Sequence, residues 1–186
     1  MNKVIVITAL FFLLALPAFS QNAEEALDRI RDWYEKVNAS VDQYRKVAYP
    51  DVNVYRSKGA EHYSMEGNKI YRLAVVDMAK FFDEDQLVKI VLRFNGDRED
   101  LTSEYYFREG NLFFVDKTKI FYHQPKWSNA FQESEKSVAR NRFYIQNNQL
   151  IKWVDSDINT VGKADPYYDQ QEEMILHDSK LYVSIN

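Results

Sequence analysis

The side chains most able to do chemistry here are carboxylates, gathered in three short runs: Asp83-Glu84-Asp85, Asp97-Arg98-Glu99-Asp100 and Asp155-Ser156-Asp157. Two carboxyl groups held at the right separation suffice to hydrolyse a glycosidic bond. These runs fall in turns between apolar segments, where acids also cap strands and keep loops hydrated. Asp155-Ser156-Asp157-Ile158-Asn159 alternates oxygen donors as a calcium loop does, but lacks the glycine and distal glutamate of an EF-hand. The imidazoles are His62, His123 and His177, with no H-x-x-x-H or H-E-x-x-H spacing among them. His123, ahead of Gln124-Pro125 at the end of an apolar run, is the one base beside an irregular segment. No serine lies in a G-x-S-x-G or S-x-x-K context, and the five glycines never form G-x-G, so no phosphate loop is expected. The chain has no cysteine, which removes disulfides, thiol nucleophiles, thiolate metal sites and lipid attachment at a cysteine. The expectation is therefore no cofactor and no metal.

A second pattern is spread along the chain. Reading alternate positions as alternate faces of a sheet places Arg72, Lys89, Arg93, Lys117, Lys119, Arg142 and Lys152 together, joined by Tyr106 and Tyr144. Val88, Ile90, Leu92 and Phe94 then point the other way, toward a core. A basic, tyrosine-rich face on a chain of net charge −4 suits an acidic envelope protein, or a polysaccharide stacked on the rings. An ordinary hydrated sheet face carries the same residue types, because Lys and Arg discourage edge pairing and Tyr fits a strand. The acidic balance of the whole chain argues against nucleic acid as a partner.

The elements that must hold these residues follow from periodicity. Leu27, Ile30, Trp33, Tyr34, Val37, Val41 and Tyr44 recur at three- and four-residue steps, predicting an amphipathic helix over 23–44 that ends before Tyr49-Pro50-Asp51. Strands are expected at 61–65 and 69–76 around Glu66-Gly67-Asn68, and at 87–94 leading into Asn95-Gly96, a dipeptide suited to positive φ. Further strands at 101–107 and 112–122 flank Arg108-Glu109-Gly110-Asn111, and strands at 141–145 and 150–154 flank Gln146-Asn147-Asn148-Gln149. Connections this short make antiparallel neighbours. Residues 125–138 form a detour, with Trp127, Phe131 and a short helix over 128–138. A second helix over 166–177 precedes an apolar strand over 180–185. The fold class is α+β: an antiparallel meander sheet, an N-terminal amphipathic helix on its apolar face, and a short C-terminal helix.

Two hairpins read as copies. Tyr106-Phe107-Arg108-Glu109-Gly110-Asn111-Leu112 aligns with Tyr144-Ile145-Gln146-Asn147-Asn148-Gln149-Leu150, and 63–70 is a fainter third. Through Tyr105-Tyr106-Phe107-Arg108-Glu109-Gly110-Asn111-Leu112-Phe113 and its partner around Tyr144, the chain resembles a group of exported bacterial proteins with Tyr-Tyr-Phe-x-x-Gly-x-Leu hairpins. That group has no assigned activity, so the resemblance implies a setting and no mechanism.

The setting is also written at the start. Lys3 precedes an apolar run over 4–19, and Ala18-Phe19-Ser20 presents small residues where a signal peptidase reads. Residues 1–20 are expected to be a signal peptide cleaved before Gln21, and 21–186 a single α+β domain in the periplasm or outside the cell. A chain of that length with 15% aromatic residues can bury about two-thirds of its unfolded surface. The functional expectation is a soluble, non-enzymatic binding module of the cell envelope. A hydrolase using turn carboxylates or His123, and a carrier of a small apolar ligand, are the alternatives.

Overall fold

The structure is a computed structural model that describes residues 24–57 and 71–185; the side chains of 53–57 and 71–75 lie outside that description. The expected signal peptide, the strand at 61–65 and the fainter hairpin copy at 63–70 also lie outside it.

Helix α1, 24–39, turns Ala26, Ile30 and Val37 inward, with Leu27, Trp33 and Tyr34 partly covered beside them. Its outer side carries the pairs Arg29–Glu25 and Arg31–Asp28. A 3-10 turn, Val41–Gln43, ends in Tyr44 at φ −79° and ψ 144°, which directs the chain into an extended strand. The helix thus stops earlier than its periodicity suggests, and the segment through Tyr49-Pro50-Asp51 is strand, not a boundary.

Eight strands follow in one antiparallel sheet, ordered as they occur in sequence. They are β1 Arg45–Ser57, β2 Tyr71–Asp83, β3 Gln86–Asn95, β4 Glu99–Arg108, β5 Asn111–Tyr122, β6 Lys136–Gln146, β7 Gln149–Val154 and β8 Thr160–Val161. Pro50 is accommodated because β1 is an edge strand whose register shifts between Tyr49 and Val52, where a missing N–H breaks no ladder. Helix α2, Tyr168–Ser184, closes the chain. It is one continuous helix, so the expected terminal strand over 180–185 does not form. Nor does the helix over 128–138: that stretch is turns, and β6 begins at Lys136.

Two turns need their glycines for different reasons. Glu109 and Gly110 lie at φ 52° and 78°, and Asn147 and Asn148 at 52° and 58°, so both hairpins turn through two left-handed residues. Gly96 is not at positive φ, contrary to the sequence expectation. It is held to glycine by space, since a Cβ there would sit 2.8 Å from the Phe94 ring and 3.0 Å from the Glu99 carbonyl oxygen.

The two hairpins that read as copies share one feature of register, and β2–β3 shares it too. In all three hairpins the strand after the turn carries one extra residue: Val88 in β3, Phe113 in β5 and Ile151 in β7. Such a bulge reverses the alternation of every residue beyond it. Leu112 therefore faces one side of the sheet and Phe114 the other, although two positions apart they would normally share a face.

Both faces become apolar, and each receives a helix. Ile90, Leu92, Tyr105, Phe107, Leu112, Val115, Phe143, Ile145, Leu150 and Trp153 form the larger core with Tyr168, Ile175 and Tyr182 of α2. Tyr106, Phe114, Tyr144 and Val154 form the smaller one with Ile30 and Val37 of α1. The N-terminal helix thus covers the face expected to be wet, and the C-terminal helix covers the main apolar face. Helix α2 is tied down at both ends. Tyr168 donates its hydroxyl to the Leu150 carbonyl at 2.8 Å. Buried Lys80 donates to the carbonyls of Val183, at 2.9 Å, and of Ile185. A cation at this end meets orphan carbonyls and the negative end of the helix dipole.

Lys80→Met keeps the stem and removes the donors. It is expected to lower the unfolding free energy by about 1–3 kcal/mol, read as a reduced urea midpoint at unchanged slope. An unaltered midpoint counts against the tether.

Candidate functional site

Cross-strand register gives each expected face residue its place. Lys89, Tyr106, Phe114, Tyr144 and Lys152 form one row across β3 to β7, each opposite the next. Arg142 lies in the following row with Glu104, Asp116 and Val154, and Arg93 in the one beyond, opposite Asp77 and Thr102. All of these point to the α1 side. Lys117 and Lys119 do not. Lys117 is opposite Ser103 and Asn141 in the row of core residue Leu92, and Lys119 is opposite Leu101 and Ala139. The bulge at Phe113 moves both to the α2 side, where Lys117 lies 6.0 Å from the Phe143 ring and Lys119 pairs with Glu99 at 2.7 Å. Arg72 stands opposite Arg56, and its side chain lies outside the described residues. The single continuous cationic face is therefore corrected. Its members divide between two sides, and Lys89, Tyr106 and Tyr144 are buried.

What the α1 side holds is a neutralised charge cluster. Glu104 and Asp116 are direct cross-strand neighbours, an arrangement that like charges disfavour. Each is answered by a cation. Lys89 meets Glu104 at 3.0 Å, donates to Asn38 Oδ1 of α1 at 2.9 Å and sits 4.7 Å from the Tyr106 ring centre. Arg140 grips Asp116 with two nitrogens, Nε at 3.0 and 3.1 Å and Nη2 at 2.5 Å. Fork geometry of this kind is stronger than a single ionic hydrogen bond. It pushes the Arg140 pKa further up, the hydrogen bonds to Asp116 being the main cause. Tyr106 donates to Glu104 Oε2 at 2.6 Å and lies 3.0 Å from Asn38 Oδ1. Tyr34 of α1 stacks edge-on against Tyr106 and Phe114, with ring centres 5.1 and 4.8 Å away. Burial first, and then the nearby carboxylates, raise the pKa of both tyrosines.

Beside this cluster, between α1 and β5–β6, lies a cleft of about 210 Å³. Its walls are Ile30, Tyr34, Phe114 and Tyr144, with Arg140, Arg142, Arg31 and Glu35 supplying charge. Arg142 stands opposite Asp116 in register, but Asp116 is already taken by Arg140 from the diagonal position. Arg142 Nε is consequently buried without a hydrogen-bond partner.

The other sequence candidates do not converge on it. His123 is exposed, in a loop stitched to the start of β4 by Tyr122 and Lys126, which donate to the two oxygens of Asp100 at 2.8 and 2.5 Å. Phe131 packs on Tyr122 at 5.4 Å, while Trp127 is 74% exposed and does not close the core. Asp155 Oδ1 accepts from the backbone of Asp157 and Asn159, an Asx turn. Among the described residues no three His, Asp or Glu side chains gather as metal ligands, and no helix is long and apolar enough to cross a membrane. Sequence reading passed over Tyr34, Asn38, Glu104, Asp116 and Arg140. The available signal was a charged residue two positions from an aromatic, Glu104 before Tyr106 and Asp116 after Phe114.

A folded-state tyrosine pKa above its ordinary value of 10.0 stabilises the fold fully below that pH. Above it, the unfolded chain sheds protons first and stability falls. In an alkaline titration, part of the tyrosinate absorbance from the thirteen tyrosines is expected to appear only as circular dichroism is lost. Tyr106→Phe should shrink that late fraction. Complete ionisation near pH 10 with the fold intact would contradict this placement.

No protein-family model, no curated protein and no solved structure matches this chain.

Proposed function

We propose that this chain is an exported, soluble, non-enzymatic binding module of the bacterial envelope, and that it takes its ligand in the cleft between α1 and the sheet. The observation that carries the reading is the cleft itself. It is a concave site in which Ile30, Tyr34, Phe114 and Tyr144 supply apolar and ring surface and Arg31, Glu35, Arg140 and Arg142 supply charge, groups that can hold and orient a small ligand. Export rests on the charged, apolar and small-residue sequence of 1–20. A flat protein or polysaccharide contact draws less support, because α1 covers Tyr106 and Tyr144. The hydrolase reading draws less again. None of its groups, the turn carboxylates of 83–85, 97–100 and 155–157 or His123, lines the cleft.

Two measurements test this. Produced in a bacterium with residues 1–20 in place, the chain is expected outside the cytoplasm with Gln21 as its first residue; full-length protein retained inside overturns export. Incubated with an envelope extract, desalted and sprayed intact, the folded chain should carry a small-molecule adduct. Ile30→Trp, which fills the cleft, should abolish it. A bare wild-type chain, or an adduct kept by Ile30→Trp, overturns the cleft as the binding site.

A further inference from the structure

We infer that the cleft selects a small organic acid, a carboxylate on a short aromatic or apolar body, and that Arg142 is the residue that recognises the acid. The inference rests on the cleft being a ligand site and adds the chemistry of the ligand.

Pairing around the cleft leaves one cation, Arg142, and one acid, Glu35, outside any ion pair among the described residues. Of the three guanidinium groups in its wall, Arg31 is held by Asp28 at 2.7 Å and Arg140 by Asp116. Glu35 is the one acid of the wall, and Arg142 forms no ion pair among the described residues. Its Nε is enclosed by protein and has no acceptor there, so a ligand meets Arg142 through the part of the side chain that lines the cleft. A guanidinium fork is matched in shape and charge by a carboxylate, which accepts along two parallel N–H directions. A neutral carbonyl would satisfy the donor without the charge-assisted gain.

The remaining walls define the body of the ligand. Ile30, Phe114, Tyr34 and Tyr144 present apolar and ring surface, and Phe114 and Tyr144 meet edge-on with centres 5.0 Å apart. Aromatic groups add readily to such a cluster. A volume of about 210 Å³ is smaller than the sites that hold drug-sized molecules. At the share of space that a water takes in the liquid, it suits a body of about seven non-hydrogen atoms. Benzoate fits this description, with benzamide as its uncharged counterpart.

The test titrates the full chain with benzoate, benzamide and inorganic phosphate, following heat and the amide spectrum of residues around the cleft. Benzoate is expected to bind at least about tenfold more tightly than benzamide, and more tightly than phosphate, which lacks the apolar body. Arg142→Gln should remove the preference for benzoate over benzamide. Arg142→Lys should retain part of it, and Ile30→Trp should abolish both interactions. Circular dichroism and thermal midpoints confirm that each variant is folded; if Arg142→Gln is not, the comparison rests on Arg142→Lys and Ile30→Trp. Equal binding of benzoate and benzamide, both lost in Ile30→Trp, overturns the acid selectivity and leaves the cleft as a ligand site. Benzoate binding that ignores both Arg142 variants overturns the role of Arg142. Phosphate binding as tightly as benzoate overturns the apolar body. Absence of saturable benzoate binding overturns the whole inference, while the cleft reading is decided separately by the envelope-extract adduct.

Discussion

One extra residue after the turn in each of three alternate hairpins, β2–β3, β4–β5 and β6–β7, determines which side chains meet which helix. Val88, Phe113 and Ile151 occupy the same place in β3, β5 and β7, and beyond each the alternation of the strand is inverted. Leu112 and Leu150 at the turns serve the α2 core, whereas Phe114 and Lys152 just past the bulge serve the α1 side. A regular pleat would have kept each of these pairs on one face. The sheet instead has two faces that each need cover, and the chain supplies one helix for each.

The charge arrangement under α1 follows from the same shift. It brings Tyr106, Phe114 and Tyr144 into one row and Glu104, Asp116 and Arg142 into the next, beneath a helix that carries Tyr34 and Asn38. Two adjacent carboxylates in such a place need cations, since burying a charge without a partner is strongly unfavourable. Lys89 and Arg140 fill that need from opposite sides of the pair. Arg142, a cation that this carboxylate pair does not take up, is left beside the cleft. That arrangement is a property of the fold, because sequence neighbours do not reveal that Arg140 reaches Asp116 before its direct partner Arg142 does.

Legibility varied with the range of the forces involved. The meander was readable from short turns between apolar runs, as was the helical character of 24–39 from its three- and four-residue spacing. Strand β1 was missed because Tyr49-Pro50-Asp51 is a local stop signal, and only the edge position makes it harmless. The end of α2 was misread because Leu181, Tyr182 and Val183 look like a strand, while Lys80 of β2, distant in sequence, holds the carbonyls of Val183 and Ile185 at the end of a helix. The expected site suffered most, since a period-two reading cannot detect an inserted residue.

By itself the sequence determined the fold class, the order of the strands and the placing of charged and tyrosine residues within them, because these depend on side-chain periodicity and turn chemistry. Tertiary structure alone decided which face each charge occupies, which carboxylate each cation answers, and that Arg142 is left over beside a cleft. The reason is physical. A bulge alters orientation without altering composition, and an ion pair is settled by competition among groups that only the folded sheet brings within reach.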